Sequence, residues 1–354
     1  MDNSTISTTS VSCGSDPYLG LPIPERLSPE LRAVFTFRIA VNAISCPFVI
    51  LLNILVMVAV KTKRQLRTKS NVSLACLATT DLVVGLLVQP LQIIHYSFML
   101  KGGTDIFCSM VDKIAVAITL RCVIASLNHF VVLSAERYLT IKHSFVYANL
   151  VTEVRIIAAS GLAWAAAIIL PMDVFWPTNI KKVARYLVLV MQFIFLALVF
   201  YFNVSVYREV RRSEKQISAN QVSLEVKEKL LKNKKAFYCT IIVLLSIFLC
   251  YFPANVIVVI MISFLKADSI ALNAKHIMLN LVSLFPVLNS LFNPLIYAVR
   301  IRYFRVAFIQ LLSRRTFTQA EQLERNIFGA KQVGIRATAK QGENKVSREG
   351  DVEY

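Results

Sequence analysis

Charge is scarce in this chain. Asp, Glu, Lys and Arg make up 17% of its 354 residues, well short of the quarter that soluble domains carry. Glycine is also rare, and neither a Gly/Ser-rich linker nor an internal repeat divides the sequence, so a single domain is expected. The opening "MDNSTISTTSVSCGSDP" is polar, with no apolar core ahead of a small-residue cleavage site. No cleaved signal peptide is expected there.

What the chain has instead is apolar sequence, 56% of the total. It lies in long runs at 39–60, 71–99, 106–140, 155–171, 186–207, 236–265 and 277–299, each supplying the roughly 20 mostly apolar residues that a spanning helix needs. An amphipathic helix of a soluble protein would show a narrower stripe opposite a charged face. The runs predict an all-α membrane protein, a seven-transmembrane helix bundle over 35–312 followed by a polar, disordered cytoplasmic tail at 313–354, with residues 1–34 as an extracellular leader. In "RYFRVAF", Arg alternates with Phe and Val, which predicts a short amphipathic eighth helix on the inner leaflet.

A net charge of +18 would suggest nucleic acid on a soluble protein, but its placement argues otherwise. Of 39 Lys and Arg, 27 fall in 61–69, 142–155, 208–235 and 300–348, against 8 in the segments that alternate with them. Basic residues collect in cytoplasmic loops, which sets the amino terminus outside. The excess is therefore a topology signal that also attracts anionic lipid or an acidic partner. No nucleic-acid partner is expected. Asn3 opens a glycosylation sequon on the outer side, whereas Asn71 and Asn203 fall within helices near the cytoplasm and are read as chance. Five cysteines lie inside the runs, leaving Cys13 and Cys108 on the oxidising side. If one disulfide forms it joins these two, and the alternative is two free thiols.

Polar groups inside the runs carry the functional signal, because a charge in hydrocarbon costs roughly 2.5–3.5 kcal/mol on insertion scales. Asp81 lies in mid-run. Asn53, Ser126, Asn289, Ser290 and Asn293 are candidates to join it in an oxygen-rich cage suited to Na⁺, or to act as hydrogen-bonding glue between helices. Glu136, Arg137 and Tyr138 stand at the inner end of the third run. Pro253 and Pro294 each remove a helical hydrogen bond and offer hinges.

Taken in order, Asn53, "LACLATTD" ending at Asp81, Glu136-Arg137-Tyr138, Trp164, Tyr201, "CYFP" at 250–253 and "NPLIY" at 293–297 resemble the signature of rhodopsin-like G-protein-coupled receptors. Likeness to the amine, adenosine and melanocortin branches is partial. The resemblance implies a two-state bundle biased by an extracellular ligand and read by a heterotrimeric G protein, with arrestin as a further partner through Ser313, Thr316 and Thr318. It implies that Asp81, Ser126, Asn289, Ser290 and Asn293 form an allosteric sodium pocket, with no other cofactor. Glu136, Arg137, Tyr138, Asn293, Pro294 and Tyr297 become the switch, Tyr201 and Tyr297 an active-state water bridge, Tyr251 and Pro253 the sixth-helix hinge. Phe145 matches the apolar plug that enters the G protein. The residue directly before "KKAF" is Asn233 and not an acid, so no ion pair is expected between Arg137 and the sixth helix, and basal activity follows.

The sequence also departs from the family. The second outer loop has no cysteine, the fifth run carries Phe193 where proline is common, and the sixth carries Tyr251 where tryptophan is typical. Amine receptors place an Asp eighteen residues before the Arg, where this chain has Thr119. Opsins need a lysine where Val287 stands, and adenosine-type receptors an asparagine where Val258 stands. Helical phase puts Asp112, Thr119, Ser126 and Arg137 on one face of the third helix, with Asp112 toward the outer vestibule; the ligand-pocket candidates are Asp112, Ala115, Val116, Thr119 and Val123, with Tyr251 on the sixth helix. The expected function is a plasma-membrane receptor and not an enzyme. The alternatives are a transporter or channel using Asp81, or a receptor-like protein that signals without ligand.

Overall fold

The computed structural model describes residues 27–102, 106–169, 178–219, 242, 245–260 and 269–329, and among these it contains helices and turns but no strand. Helix α1, Pro29–Thr62, starts where Ser28 accepts a hydrogen bond from the Leu31 amide at 3.2 Å, with Pro29 in the first turn, a position where its missing N–H costs nothing. A 3₁₀ turn, Arg64–Leu66, leads to α2, Lys69–Val83, capped by Thr68. α2 continues through a π-helical turn, Val84–Val88, into α3, Gln89–Leu100. Pro90 cannot donate to the carbonyl four residues back, and the widened turn absorbs that loss. The turn also sets the phase of α3, whose buried face carries Gln89, Gln92, His95, Tyr96 and Met99.

Next come α4, Ile106–Lys142, the short α5, Ser144–Leu150, α6, Glu153–Ile169, and α7, Thr178–Ala219. Helix α8 is Leu245–Ile260. The last apolar run forms two helices, α9, Ser269–Val282, and α10, Leu284–Arg300, with Ser283 between them. Then α11, Arg302–Ser313, precedes α12, Phe317–Glu324.

Helix α4 packs against α2, α3, α6 and α7, while α1 packs against α2, α3, α9, α10 and α11. Two side-chain ties bind α4 to α6, one from Asn128 to the Ala163 carbonyl at 3.1 Å, the other between His129 Nε2 and Ser160 Oγ at 2.6 Å. Leu77, Leu127, Phe130, Ile247, Tyr297 and Phe304 share the main apolar core. The interior also buries Asn42, Asn53, Asp81, Asn289 and Asn293, while Ile44, Leu162, Leu187 and Leu249 face outward. Amides inside and leucines outside suit a helical bundle whose solvent is hydrocarbon.

Among the described residues five stretches are long and apolar enough to cross a bilayer: Pro29–Thr62, Lys69–Leu100, Lys113–Lys142, Tyr186–Ser213 and Leu272–Arg300. α6, with 17 residues, and α8 are shorter, and the runs at 155–171 and 236–265 from which they come lie partly outside the described residues.

One expectation is corrected at the tail. Residues 317–329 are helical and not disordered. Arg314 in the left-handed region (φ 52°) ends α11 and turns the chain, and Thr316 and Gln319 close a reciprocal capping box that starts α12. Ala320 is then buried, and Glu324 is clamped by Arg302 and Arg305. Residues 330–354 lie outside the described residues.

Candidate functional site: a buried polar column

At mid-depth the column begins with Asp81, 1% exposed, whose Oδ2 accepts a hydrogen bond from Asn293 Nδ2 at 2.9 Å. Ser290 contacts the same carboxyl. Pro294 has no N–H to give the carbonyl of Ser290, and Asn53 replaces it, donating at 3.1 Å while also reaching the Val49 carbonyl at 2.9 Å. The proline kink, the first helix and the acid thus share one hydrogen-bonded unit. Tyr251 is buried beside Ser126 and Asn289. Among the described residues Asp81 Oδ1, Asn289 Oδ1 and Asn293 Oδ1 are buried and make no hydrogen bond. Three acceptor oxygens without donors fit a hard cation of Na⁺ type, which takes oxygen ligands. Among the described residues no cluster of three or more His, Cys, Asp or Glu could hold a transition metal.

At one end of the column Glu136 is buried, and its Oε1 accepts from Ser70 at 2.6 Å, Tyr147 at 2.9 Å and Thr140 at 3.2 Å. Arg137 approaches Glu136 Oε2 at 3.7 Å, its only ion pair among the described residues. Tyr138 packs against Phe202 and His143. The carboxylate joins α2, α4 and α5, and holds its neighbouring guanidinium loosely. Phe145 on α5 is 90% exposed, an apolar side chain standing free at the end of the column. Tyr297 is buried against Phe304, whereas Tyr201 is exposed beside Phe202. The structure does not bring these two tyrosines together. Asn233 lies outside the described residues.

Toward the other end, Ala115, Thr119 and Tyr251 are buried, Val116 and Val123 half-buried, and Pro253 exposed. Thr119 donates to the Ala115 carbonyl at 2.6 Å and accepts from Gln92 at 3.5 Å. Backbone places Asp112 and Cys108 on α4, but their side chains, with Cys13 and Asn3, lie outside the described residues. Asn203 is buried and donates to Ser134 and the Val199 carbonyl, so it offers no surface for a glycan.

Sequence reasoning missed Arg38. It is 1% exposed and bonds Asn280 on α9, Ser283 at the α9–α10 junction and Gln92 on α3. The signal was present in the spacing of Arg38, Asn42, Ser45 and Asn53, a polar stripe at helical period inside an apolar run. The partners of Glu136 on α2 and α5, Ser70 and Tyr147, carried no motif at all.

The model of the 7 transmembrane receptor (rhodopsin family) matches residues 52–181 and 173–297. The chain belongs to this family. Its members are membrane receptors and not enzymes. Over 118 residues the chain is 32% identical to the histamine H2 receptor of Rattus norvegicus, a stretch that covers 33% of this chain and 32% of that one. Over 314 residues it is 26% identical to the histamine H2 receptor of Canis lupus familiaris, covering 84% and 82%. It is 31% identical over 130 residues to 5-hydroxytryptamine receptor 1E of Pan troglodytes, covering 36% and 35%. At the higher identities the match thus spans about a third of the relatives' length.

Proposed function

We propose that this chain is a seven-span plasma-membrane receptor with its amino terminus outside, which senses an extracellular ligand and activates a heterotrimeric G protein by conformational switching. The observation that carries the reading is the inner end of the column. There the Glu136 carboxylate is held by three hydroxyls while Arg137 has, among the described residues, a single pairing at 3.7 Å. A guanidinium so weakly held is poised to leave its neighbour and take a partner when the helices part. Exposed Phe145 supplies an apolar anchor beside it. Helix α11 lies on the inner leaflet. Sodium at Asp81, Ser126, Asn289, Ser290 and Asn293 favours the inactive bundle, because moving α10 against α2 would break up its ligand set. Arrestin binding would follow phosphorylation of the Ser313–Thr318 segment.

The test is basal nucleotide exchange on a panel of G proteins in cells expressing the chain, against Arg137→Ala with matched surface expression. Exchange that rises with the wild type and falls at least tenfold with the variant supports the reading. Exchange that is indifferent to Arg137 overturns the switch. The transporter or channel alternative predicts ion flux lost in Asp81→Asn. Signalling that no extracellular fraction modulates would favour the ligand-independent alternative.

A further inference from the structure

We propose that Arg38 anchors a carboxylate-bearing ligand in the outer part of the bundle. This rests on the receptor reading and names the ligand class for it. Arg38 lies nine residues into α1 from Pro29, about 14 Å along the axis, and is 1% exposed. A guanidinium cannot shed its proton to escape a low-dielectric site, and an ionisable group inside a membrane bundle marks a functional site whose partner should be named.

Its partners are all neutral. Nη1 donates to the Asn280 carbonyl at 2.7 Å, to Asn280 Oδ1 at 3.1 Å and to Ser283 Oγ at 2.5 Å, while Nη2 donates to Gln92 Oε1 at 3.2 Å. The Tyr96 ring lies 4.7 Å from the guanidinium carbon. Among the described residues no carboxylate reaches it. Part of this is structural. Asn280 is in the last turn of α9, so Nη1 caps a helix end where a cation is favourable. That duty uses one edge of the guanidinium. Nε on the other edge is buried and makes no hydrogen bond. Nε–H and Nη2–H are parallel donors spaced for the two oxygens of a carboxylate, and the cap fixes the plane in which they are presented.

Leu31, Phe35, Tyr96 and Met99 form a separate apolar cluster at the same end, which offers a face for the ligand's carbon body. Gln92 accepts from Arg38 and donates to Thr119, so the cation is wired to the pocket face of α4. The outer column therefore presents a buried positive group, which repels an amine and attracts a carboxylate.

Purified full-length receptor in phosphatidylcholine nanodiscs would be melted, in the absence of sodium, with the N-methylglucamine salt of acetate or dodecanoate, each against its neutral amide in the same concentration of N-methylglucamine chloride. The expected result is a saturable rise in Tm of roughly 2–4 °C with an acid and none with its amide. A response to acetate points to a water-borne ligand, and one confined to dodecanoate to an acyl chain arriving through the outer leaflet. Arg38→Lys keeps the charge but loses the fork and should need at least tenfold more acid for the same shift. Gln92→Glu leaves Arg38 in place, sets a competing carboxylate where Gln92 Oε1 meets Nη2 at 3.2 Å and should abolish the shift. If neither acid exceeds its amide on wild type, or if the shift is unchanged in Gln92→Glu, the proposal is overturned and Arg38 is a helix cap only. Because melting needs no G protein, an acid shift alongside Arg137-independent exchange would overturn the receptor reading and leave the site standing.

Discussion

Asn293 on α10 donates its side-chain amide to Asp81 on α2 at 2.9 Å, across 212 residues of chain. Each is 1% exposed, so this contact joins the kinked seventh run to the second at a depth without bulk water. The carboxyl's other oxygen and the side-chain oxygens of Asn289 and Asn293 make no hydrogen bond. Sodium should therefore raise the melting temperature above that in an equal concentration of N-methylglucamine chloride, by roughly 2–4 °C at saturation. Asp81→Asn should erase the difference. Equal melting in both salts for the wild type would mean that the oxygens serve only as interhelical glue.

Tyr147 reaches back from α5 to Glu136 at 2.9 Å. Burial first, then the charge of Glu136, hold its phenol above the usual tyrosine range, so it remains a donor at every physiological pH. Tyr147→Phe removes one hydrogen bond to a charged group, worth about 1.5–3 kcal/mol, and leaves Ser70 and Thr140 in place. Basal nucleotide exchange should rise severalfold while Tm falls by a few degrees. A lower Tm with unchanged exchange would show that the tie holds α5 without restraining the switch.

Most of this column was legible in the sequence because hydrocarbon makes every amide conspicuous. Asp81, Asn289, Asn293 and Glu136 stand out against apolar neighbours, and Pro294 announces the kink beside them. Arg38 was lost at a run's edge, where a basic residue reads as an interfacial anchor; only the fold shows that its cap is Asn280, 242 residues away. The tail failed for a different reason. Its composition is polar, and order there comes from a capping box and an ion-paired turn that add up only after α12 folds back on α11.

Gly85 lies in the π turn between α2 and α3, and a Cβ there would meet Ile50 Cγ1 at 2.9 Å and Val49 Cγ1 at 3.0 Å. Its carbonyl also accepts from Cys46 at 3.2 Å. Gly85→Ala must push α1 away, an overpacking cost of about 1–3 kcal/mol. Thermal stability and surface expression should fall, with the acid and sodium responses of surviving protein intact. An unchanged Tm would mean that α1 shifts freely against the turn.

Arg302 bonds Glu321 at 2.8 Å and Glu324 at 3.0 Å, while Arg305 bonds Glu324 at 2.8 Å and packs over Phe328. Burial pushes the Glu324 carboxyl up, but Arg305 and Arg302 together outweigh it and hold it below the ordinary 4.5; Arg325 first, then Arg302, do the same for Glu321. A lowered folded value means stability that is present above pH 4.5 and lost as pH falls through that lower value. Amide exchange in 317–329 of the full chain, corrected for intrinsic rates, should thus be flat from pH 7 to 5 and accelerate below 4.5. Glu324→Gln should remove the acid step and raise exchange of that segment at neutral pH, leaving α10 protected. If the variant exchanges like the wild type at neutral pH, the buried Ala320 face holds the hairpin and the ion pairs are incidental.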